Sequence, residues 1–308
     1  MKWISKQSLE TRLPQQVVGC AVQDDAALAL SVSGSPERWT VHRCQARSMG
    51  DSEFKAKFCA LVGSRPFWVV PRRKSAAQSN FSCAVDFVKE TLSDTTLKER
   101  VQFVRGQLKN RFLSVLDDVD INGSEIIGPD GAHLVGCGIV RSEVEEDYAF
   151  WRRILSSRLR EALRPRIHIA SAAAAIANLY ALVAPQEVLR PSRILVVDGR
   201  STINAVVMKG WRLIDAVEYQ RMEGEVLSQP LVAQWIDYVR SQHETEDIAP
   251  EPLVLTASAE KVDGMDTWNP FAGPNVSEES SGLLSAISEE RSMAMAVVAF
   301  GMALQGGI

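Results

Sequence analysis

No two of the five cysteines form a Cys-x-x-Cys pair; they stand at positions 20, 44, 59, 83 and 137. Three of them lie in apolar runs, which predicts buried, reduced thiols and argues against a disulfide frame or a zinc site. The four histidines, His42, His133, His168 and His243, are as scattered, and none has metal-ligand spacing. Long apolar runs are missing as well: no stretch approaches the ~20 residues that cross a bilayer. The opening MKWISKQSLETRLP lacks the apolar core of a signal peptide. There is no excess of positive charge either. Thirty-four Lys and Arg against 38 Asp and Glu give a net charge of −4, so the chain carries no global footprint for nucleic acid. No G-x-S-x-G motif or Cys/His nucleophile arrangement is present. Together these absences predict a soluble cytoplasmic protein that reaches a membrane, if at all, through partners.

What is present is a chain of 308 residues with 46% hydrophobic content, enough for one large or two medium domains with sizeable cores. Its most informative stretch is Arg193 to Trp211, RILVVDGRSTINAVVMKGW. Branched apolar residues at 194–197, a polar turn Asp198-Gly199-Arg200-Ser201-Thr202, and a second apolar run to Met208 predict two buried antiparallel strands. An acid, a glycine and hydroxyls at such a tip can hold a phosphate and its metal, because backbone N–H groups there can point at an anion. The same residues are also those that simply turn well.

Taken in order, Gln16–Val22 and Ala26–Val32 predict a hairpin, Trp39–Cys44 a third strand, Phe54, Phe58 and Leu61 a short helix, and Phe67–Val70 a fourth strand. The basic run Arg72-Arg73-Lys74 follows in a polar linker. Ser82–Leu92 alternates loosely as a strand. Asp94–Phe112 keeps helical spacing. Val119–Ile127 and Ala132–Val140 flank a Gly-Pro-Asp-Gly turn, and a helix runs from Ser142 toward Pro165. The acidic residues Glu143, Glu145, Glu146 and Asp147 suit the start of that helix as a solvated run. Asp118-Val119-Asp120-Ile121-Asn122-Gly123 matches half a calcium loop, but Pro129 stands where the bidentate Glu is needed, and a strand is the better reading. Beyond lie a short strand at Ile167–Ile169, an alanine-rich helix at Ala172–Leu182, the central hairpin, a third strand at Trp211–Tyr219, a helix at Val226–Val239, a strand at Leu253–Thr256, a Pro/Gly/Ser-rich loop or partly disordered stretch at Asn269–Gly282, and a final apolar helix at Met293–Leu304.

The pattern of three strands, a helix and a strand therefore occurs twice, at 16–70 and 193–256. A repeat of this kind belongs to α/β proteins of actin-like (ribonuclease H-like) architecture, with duplicated domains and here an inserted small α+β subdomain. The expected division is a first half at 1–78, the inserted subdomain at 79–165, a return to the first half at 166–190, a second half at 191–290 and a C-terminal helix at 291–308. Fold analogy alone does not establish function.

The middle of the chain carries a family resemblance. ETLSDTTLKERVQFVRGQLKNRFLSVLDDVDI, HLVGCGIVRSEVEEDYAFWRRIL and LRPRIHIASAAAAIANL follow one another in order, ILVVDGRST comes at the right distance, and AVVAFGMALQGG closes the chain. In this order the chain resembles PilM, the actin-like protein of the type IV pilus assembly platform, and more distantly the cytoplasmic part of GspL and the division protein FtsA. The resemblance spans about residues 16 to 308.

The nucleotide motifs of that fold are altered in three places. A Gly-x-Asp-x-Gly loop becomes Gly19-Cys20-Ala21-Val22-Gln23. An Asp-x-Gly-x-x-Thr loop keeps Asp198, Gly199 and Thr202 but has Arg200. A Ser-Gly-Gly-Gly-Ala loop becomes Thr256-Ala257-Ser258-Ala259-Glu260. Glycine there lets a ligand approach backbone. The resemblance thus implies a scaffold without ATPase activity: a cytoplasmic protein, peripheral at the inner membrane, that binds the cytoplasmic N-terminal peptide of a PilN-like membrane protein and other components of a pilus or type II secretion-like platform. It would need no cofactor and would bind no nucleic acid. The competing readings are a nucleotide-binding protein or ATPase using Asp198, Gly199, Ser201 and Thr202 on Mg-ATP, and a self-associating filament former.

Overall fold

The computed structural model describes residues 16–35, 37–70, 72, 81–88, 99, 102–103, 106, 119–128, 131–155, 165–185, 188, 191–222, 225–242, 249–256, 262–280 and 290–306. Three strands open it: β1 (Val17–Gln23), β2 (Ala26–Ser35) and β3 (Arg38–Ser48) form an antiparallel meander. Helix α1 (Phe54–Val62) leads to β4 (Phe67–Val69), which pairs parallel to β1. The chain then leaves this sheet. Strands β5 (Phe81–Val88), β6 (Val119–Gly128) and β7 (Gly131–Val140) make a separate three-stranded sheet in the order β5-β7-β6. The helix expected over 94–112 lies outside the described residues apart from helical backbone at 99, 102, 103 and 106. Helix α2 (Arg141–Leu155) returns the chain to β8 (Ile167–Ile169), the fifth strand of the first sheet, and helix α3 (Ala172–Val183) follows.

The second half repeats the plan. Strands β9 (Ser192–Asp198), β10 (Thr202–Lys209) and β11 (Arg212–Gln220) form a meander. Helix α4 (Gln229–Gln242) leads to β12 (Glu251–Leu255), parallel to β9, then to β13 (Asp266–Trp268) and the closing helix α5 (Glu290–Gly306). The two five-stranded sheets have orders β3-β2-β1-β4-β8 and β11-β10-β9-β12-β13. Counted within each half, both read third, second, first, fourth, fifth.

Alternation along the strands explains the layers. In β9, Leu195 and Val197 face a core shared with α3 and α5, while Ile194 and Val196 face Val232, Trp235 and Val239 of α4. Both faces are buried, so the strand reads as one continuous apolar run. In β1, Ala21 faces the shared core, whereas Val18 and Cys20 pack on Phe54 and Phe58 of α1 and Trp151 of α2. Trp151 and Leu155 are thus core residues on the outer face of the first sheet, while Tyr148 of the same helix is exposed.

The shared core joins the halves through α3 and α5. Ser171 caps α3, accepting from the Ala174 N–H at 3.2 Å, a bond whose loss costs about 1 kcal/mol. Two glycines set how closely α5 is wedged. A Cβ on Gly19 in β1 would overlap the Ala299 carbonyl and the Ala303 amide of α5, and one on Gly301 would overlap the Ala175 carbonyl of α3. Gly19 is therefore a packing residue in mid-strand and does not belong to a ligand loop.

The stretch read as a loose loop is instead built into the core. Residues 269–280 carry a 3-10 turn at Pro270–Ala272 and lie along the edge of β3. Trp39 N donates to Asn275 O at 2.6 Å, Ser277 N to Trp39 O at 2.8 Å, and Val41 N to Ser280 Oγ at 2.9 Å. Pro270, Phe271, Val276, Ser277 and Ser280 are buried, and Phe271 stacks on Phe300 of α5. A segment that follows the last strand of the second sheet thus covers the Trp39–Val41 part of the first sheet's edge strand, which shortens its exposed pairing edge. Residues 281 and 282 lie outside the described residues.

Candidate functional site

The sequence places its candidate residues at the tips of the two meanders, and the fold brings those tips together. Asp198 ends β9, Gly199 to Ser201 turn, and Thr202 begins β10, with Asp198 paired to Ile203. The turn is closed by Gly199 N donating to Thr202 O at 3.0 Å. From the other half, Gln23 at the end of β1 lays its side chain against this turn. A Cβ on Gly199 would sit 2.5 Å from Gln23 Nε2 and 2.6 Å from the Thr202 carbonyl oxygen. Gly199 is thus required for close approach, but what approaches it is a glutamine of the same chain.

Asp198 is also engaged from within. The register of β10 with β11 pairs Thr202 with Gln220, so Arg221 follows beside the turn, and its N–H donates to Ser201 O at 2.9 Å. The Arg221 guanidinium reaches back and donates from Nη2 to Asp198 Oδ1, forming an ion pair. The two side chains are 16% and 31% exposed, sheltered enough for the charge-assisted bond to outweigh that of a solvated pair. Behind Arg221, Glu225 accepts from Tyr219 Oη at 2.8 Å and from Met222 N at 3.0 Å. The Met222 N–H, then the Tyr219 hydroxyl, hold the Glu225 carboxyl below its ordinary value, and the Arg221 charge adds to this. The same bond, counted from the other side, raises the Tyr219 phenol.

A magnesium nucleotide does not fit this arrangement. A metal on Asp198 must displace a guanidinium that is itself a fixed cation. The Gly199 N–H that an anion would use already has an acceptor. Ala21 offers no carboxylate and is buried. Of the neighbouring acids, Asp25 accepts from Ser48 Oγ at 3.1 Å and Asp24 is exposed at φ 54°. No group of three or more His, Cys, Asp or Glu residues among the described residues can hold a metal. Thr256 directly follows β12, with its N–H on Trp268 O at 3.0 Å; residues 257–260 of the third altered motif lie outside the described residues.

One residue of each charged run is taken into an internal ion pair, while Glu145 and Glu146 of the acidic run are exposed. Arg72, in the basic run after β4, is clamped by Asp147 of α2: its N–H reaches Oδ2 and its Nε reaches Oδ1, both at 2.6 Å. The Asp147 side chain is 2% exposed, and the guanidinium lies 3.5 Å over the Phe150 ring. The half calcium motif is not a loop, since Val119 to Gly128 is paired throughout with β7. Among the histidines, His42 hydrogen-bonds Ser33 Oγ at 2.6 Å, and His168 of β8 stacks on Trp68 of β4 at 4.4 Å and 13°. His243 lies outside the described residues. Cys20, Cys44 and Cys59 are in no disulfide, the Cys59 thiol donates to Ile154 O at 3.0 Å, and burial pushes Cys44 up to about 12.

The His168 stack gives a measurable pH dependence. Burial, then the Arg166 charge, lowers the His168 imidazole below its ordinary 6.5. Its contribution to stability is therefore full above 6.5. It is lost as pH falls from there through the lower folded value, because the unfolded chain takes up a proton that the folded chain resists. Urea midpoints measured from about pH 7 down to 5 should fall, and His168→Gln should flatten that part of the profile.

The arrangement missed by sequence reasoning is the pair of internal occupants, Gln23 and Arg221. Gln23 was visible as the residue in place of the second loop glycine. Arg221 has no local signal and is placed only by the β10–β11 register.

Against known proteins, the chain matches no sequence-family profile and no curated protein. Solved structures do resemble it. A chain of a PilM–PilN type IV pilus biogenesis complex superposes with a TM-score of 0.60 at 13% identity, over 95% of this chain and 98% of that one. A protein of actin-like ATPase fold from Bacteroides thetaiotaomicron gives 0.42 at 8% identity, over 91% and 89%. The ethanolamine utilization protein EutJ from Carboxydothermus hydrogenoformans gives 0.38 at 11% identity, over 96% and 91%. The fold is the actin-like α/β fold, PilM-like in its extent from end to end. No helix among the described residues is long and apolar enough to cross a membrane.

Proposed function

We propose that this chain is a scaffold of a type IV pilus or type II secretion-like platform, working in the cytoplasm at the inner membrane and binding the cytoplasmic N-terminal peptide of a PilN-like membrane protein without hydrolysing ATP. The observation that carries the proposal is a pairing of likeness and loss. The fold is shared over nearly the whole length of both chains with a component of a PilM–PilN complex, while the Asp198–Thr202 turn, to which the resemblance assigns nucleotide, is engaged by Gln23 and Arg221 of the same chain. In this reading the block from 79 to 165 is a separate lobe, consistent with its own three-stranded sheet, and the peptide docks beside it. A short extended peptide adds a strand or fills apolar pockets and is ordered as it binds. An affinity in the micromolar range, about −8 kcal/mol, is the expectation.

Titrating the cytoplasmic peptide of a candidate PilN-like partner into the purified chain tests it. Saturable binding of one peptide per chain supports the scaffold; no binding of any such peptide up to millimolar concentration sinks it. The competing reading as an ATPase is favoured by Asp198, Gly199, Ser201 and Thr202 lying together in one turn, and it requires turnover that Asp198→Ala abolishes.

A further inference from the structure

We infer that Arg221 is a resident cation of the cleft, taking on Asp198 the place a divalent metal would need, and that it stiffens the turn on which Gln23, together with the 269–280 segment elsewhere, fixes the two halves to one another. Three contacts support this independently. The first is the Arg221–Asp198 ion pair, with Arg221 N–H also fastened to Ser201 O at 2.9 Å. It ties the chain after β11 to the β9–β10 turn twice, once through backbone and once through charge. The second is Gln23 against Gly199, the meeting of the two hairpin tips. The third lies at the edge of the first sheet, where residues 275–280 from the second half hydrogen-bond Trp39 and Val41. The second and third contacts join the two halves at separate places, so rotation of one half on the other must break both, while the Arg221 ion pair lies within the second half and stiffens the turn that Gln23 meets.

The chemistry of substitution is specific. A guanidinium is a permanent cation that presents only donors. It satisfies a carboxylate as a metal does, but as a donor-only group it coordinates no water and supplies no Lewis acid. Tethered to β11, it also pays no entropy of association from solution, so a free ion at millimolar concentration competes poorly. Glu225 behind it, held ionised by Met222 N–H and Tyr219 Oη, balances the charge that Asp198 alone would share. The joint does not depend on peptide binding: it stands or falls on the cleft alone.

The test is thermal unfolding of the full chain, with and without millimolar magnesium chloride, for wild type, Arg221→Met, Asp198→Asn and the double variant. Magnesium should leave the wild-type midpoint unchanged. Arg221→Met should lose about 2–4 °C, and magnesium should recover part of that loss. The double variant should be no less stable than Arg221→Met and should ignore magnesium. A magnesium shift of the wild type as large as that of Arg221→Met, or strictly additive single losses, overturns the inference. If Arg221→Met does not fold, Arg221→Lys supplies the answer: it should be intermediate in stability and indifferent to magnesium. Amide exchange over residues 198–202 of the wild type gives a further readout. It should be unaltered by magnesium, and slowing there overturns the inference.

Discussion

Asp147→Ala should destabilise the fold by about 3 kcal/mol, the low end of the ~3–5 kcal/mol seen when one partner of a buried ion pair is removed. The carboxylate is 2% exposed and accepts two bonds of 2.6 Å from Arg72, so both its desolvation and its charge are fully committed. The low end applies because Arg72 is 19% exposed. After the substitution it can regain part of its hydration, and its stacking on Phe150 survives. Location makes the consequence larger than the number. Arg72 lies where the chain leaves the first sheet for the β5-β7-β6 sheet, and Asp147 lies on the helix that brings it back. The pair therefore fastens both ends of the excursion. Asp147→Asn keeps the shape and one acceptor and should lose less. Urea unfolding at neutral pH measures both, and a loss below 1 kcal/mol for Asp147→Ala would show the pair to be a surface contact in practice.

Gly301→Ala should be destabilising by about 1–3 kcal/mol or more, against the sign that helix propensity gives. Exchanging a mid-helix glycine for alanine is worth about +1 kcal/mol in propensity. Here the new Cβ would overlap the Ala175 carbonyl of α3. The obstructing atom is backbone, so no rotamer change relieves it, and the two helices must part. Separation opens gaps along a row of fully buried neighbours that includes Ala296, Val297 and Phe300, at about 24 cal/mol for each Å³ left unfilled. Packing therefore wins over propensity. Gly19→Ala meets the other side of α5 in the same way and should behave alike. If either variant gains stability, α5 is not wedged as closely as described.

Much of this fold was legible from apolar patterning. The central hairpin, both meanders and the apolar helices that join the halves follow from runs in which every second residue, or every residue, must be buried. The parts that were not legible depend on partners far away in sequence. Strand β13 is only Asp266-Thr267-Trp268, too short for alternation to show, and it exists because β12 offers an edge. Strand β3 runs past its apolar part to Ser48, since β2 extends beside it even where its side chains are polar. Residues 269–280 have the composition of a loose loop, yet Ser280 bonds Val41, 239 positions away. Asp147 and Arg72 are each typical of solvated runs and become buried only through one another. At the candidate site, the turn itself was legible in Asp198 to Thr202, whereas its occupants were not, because Arg221 reaches Asp198 through a strand register and Gln23 through the meeting of the halves.

The central claim is that partner binding is independent of the nucleotide cleft. Its most direct test is isothermal titration of the PilN-like peptide into wild type and into the Asp198→Ala, Thr202→Ala double variant, each with and without Mg-ATP. The account predicts four superimposable isotherms with micromolar affinity. Binding that requires Mg-ATP, or that is lost in the cleft variant while its fold remains intact, would contradict it and make the cleft a nucleotide switch.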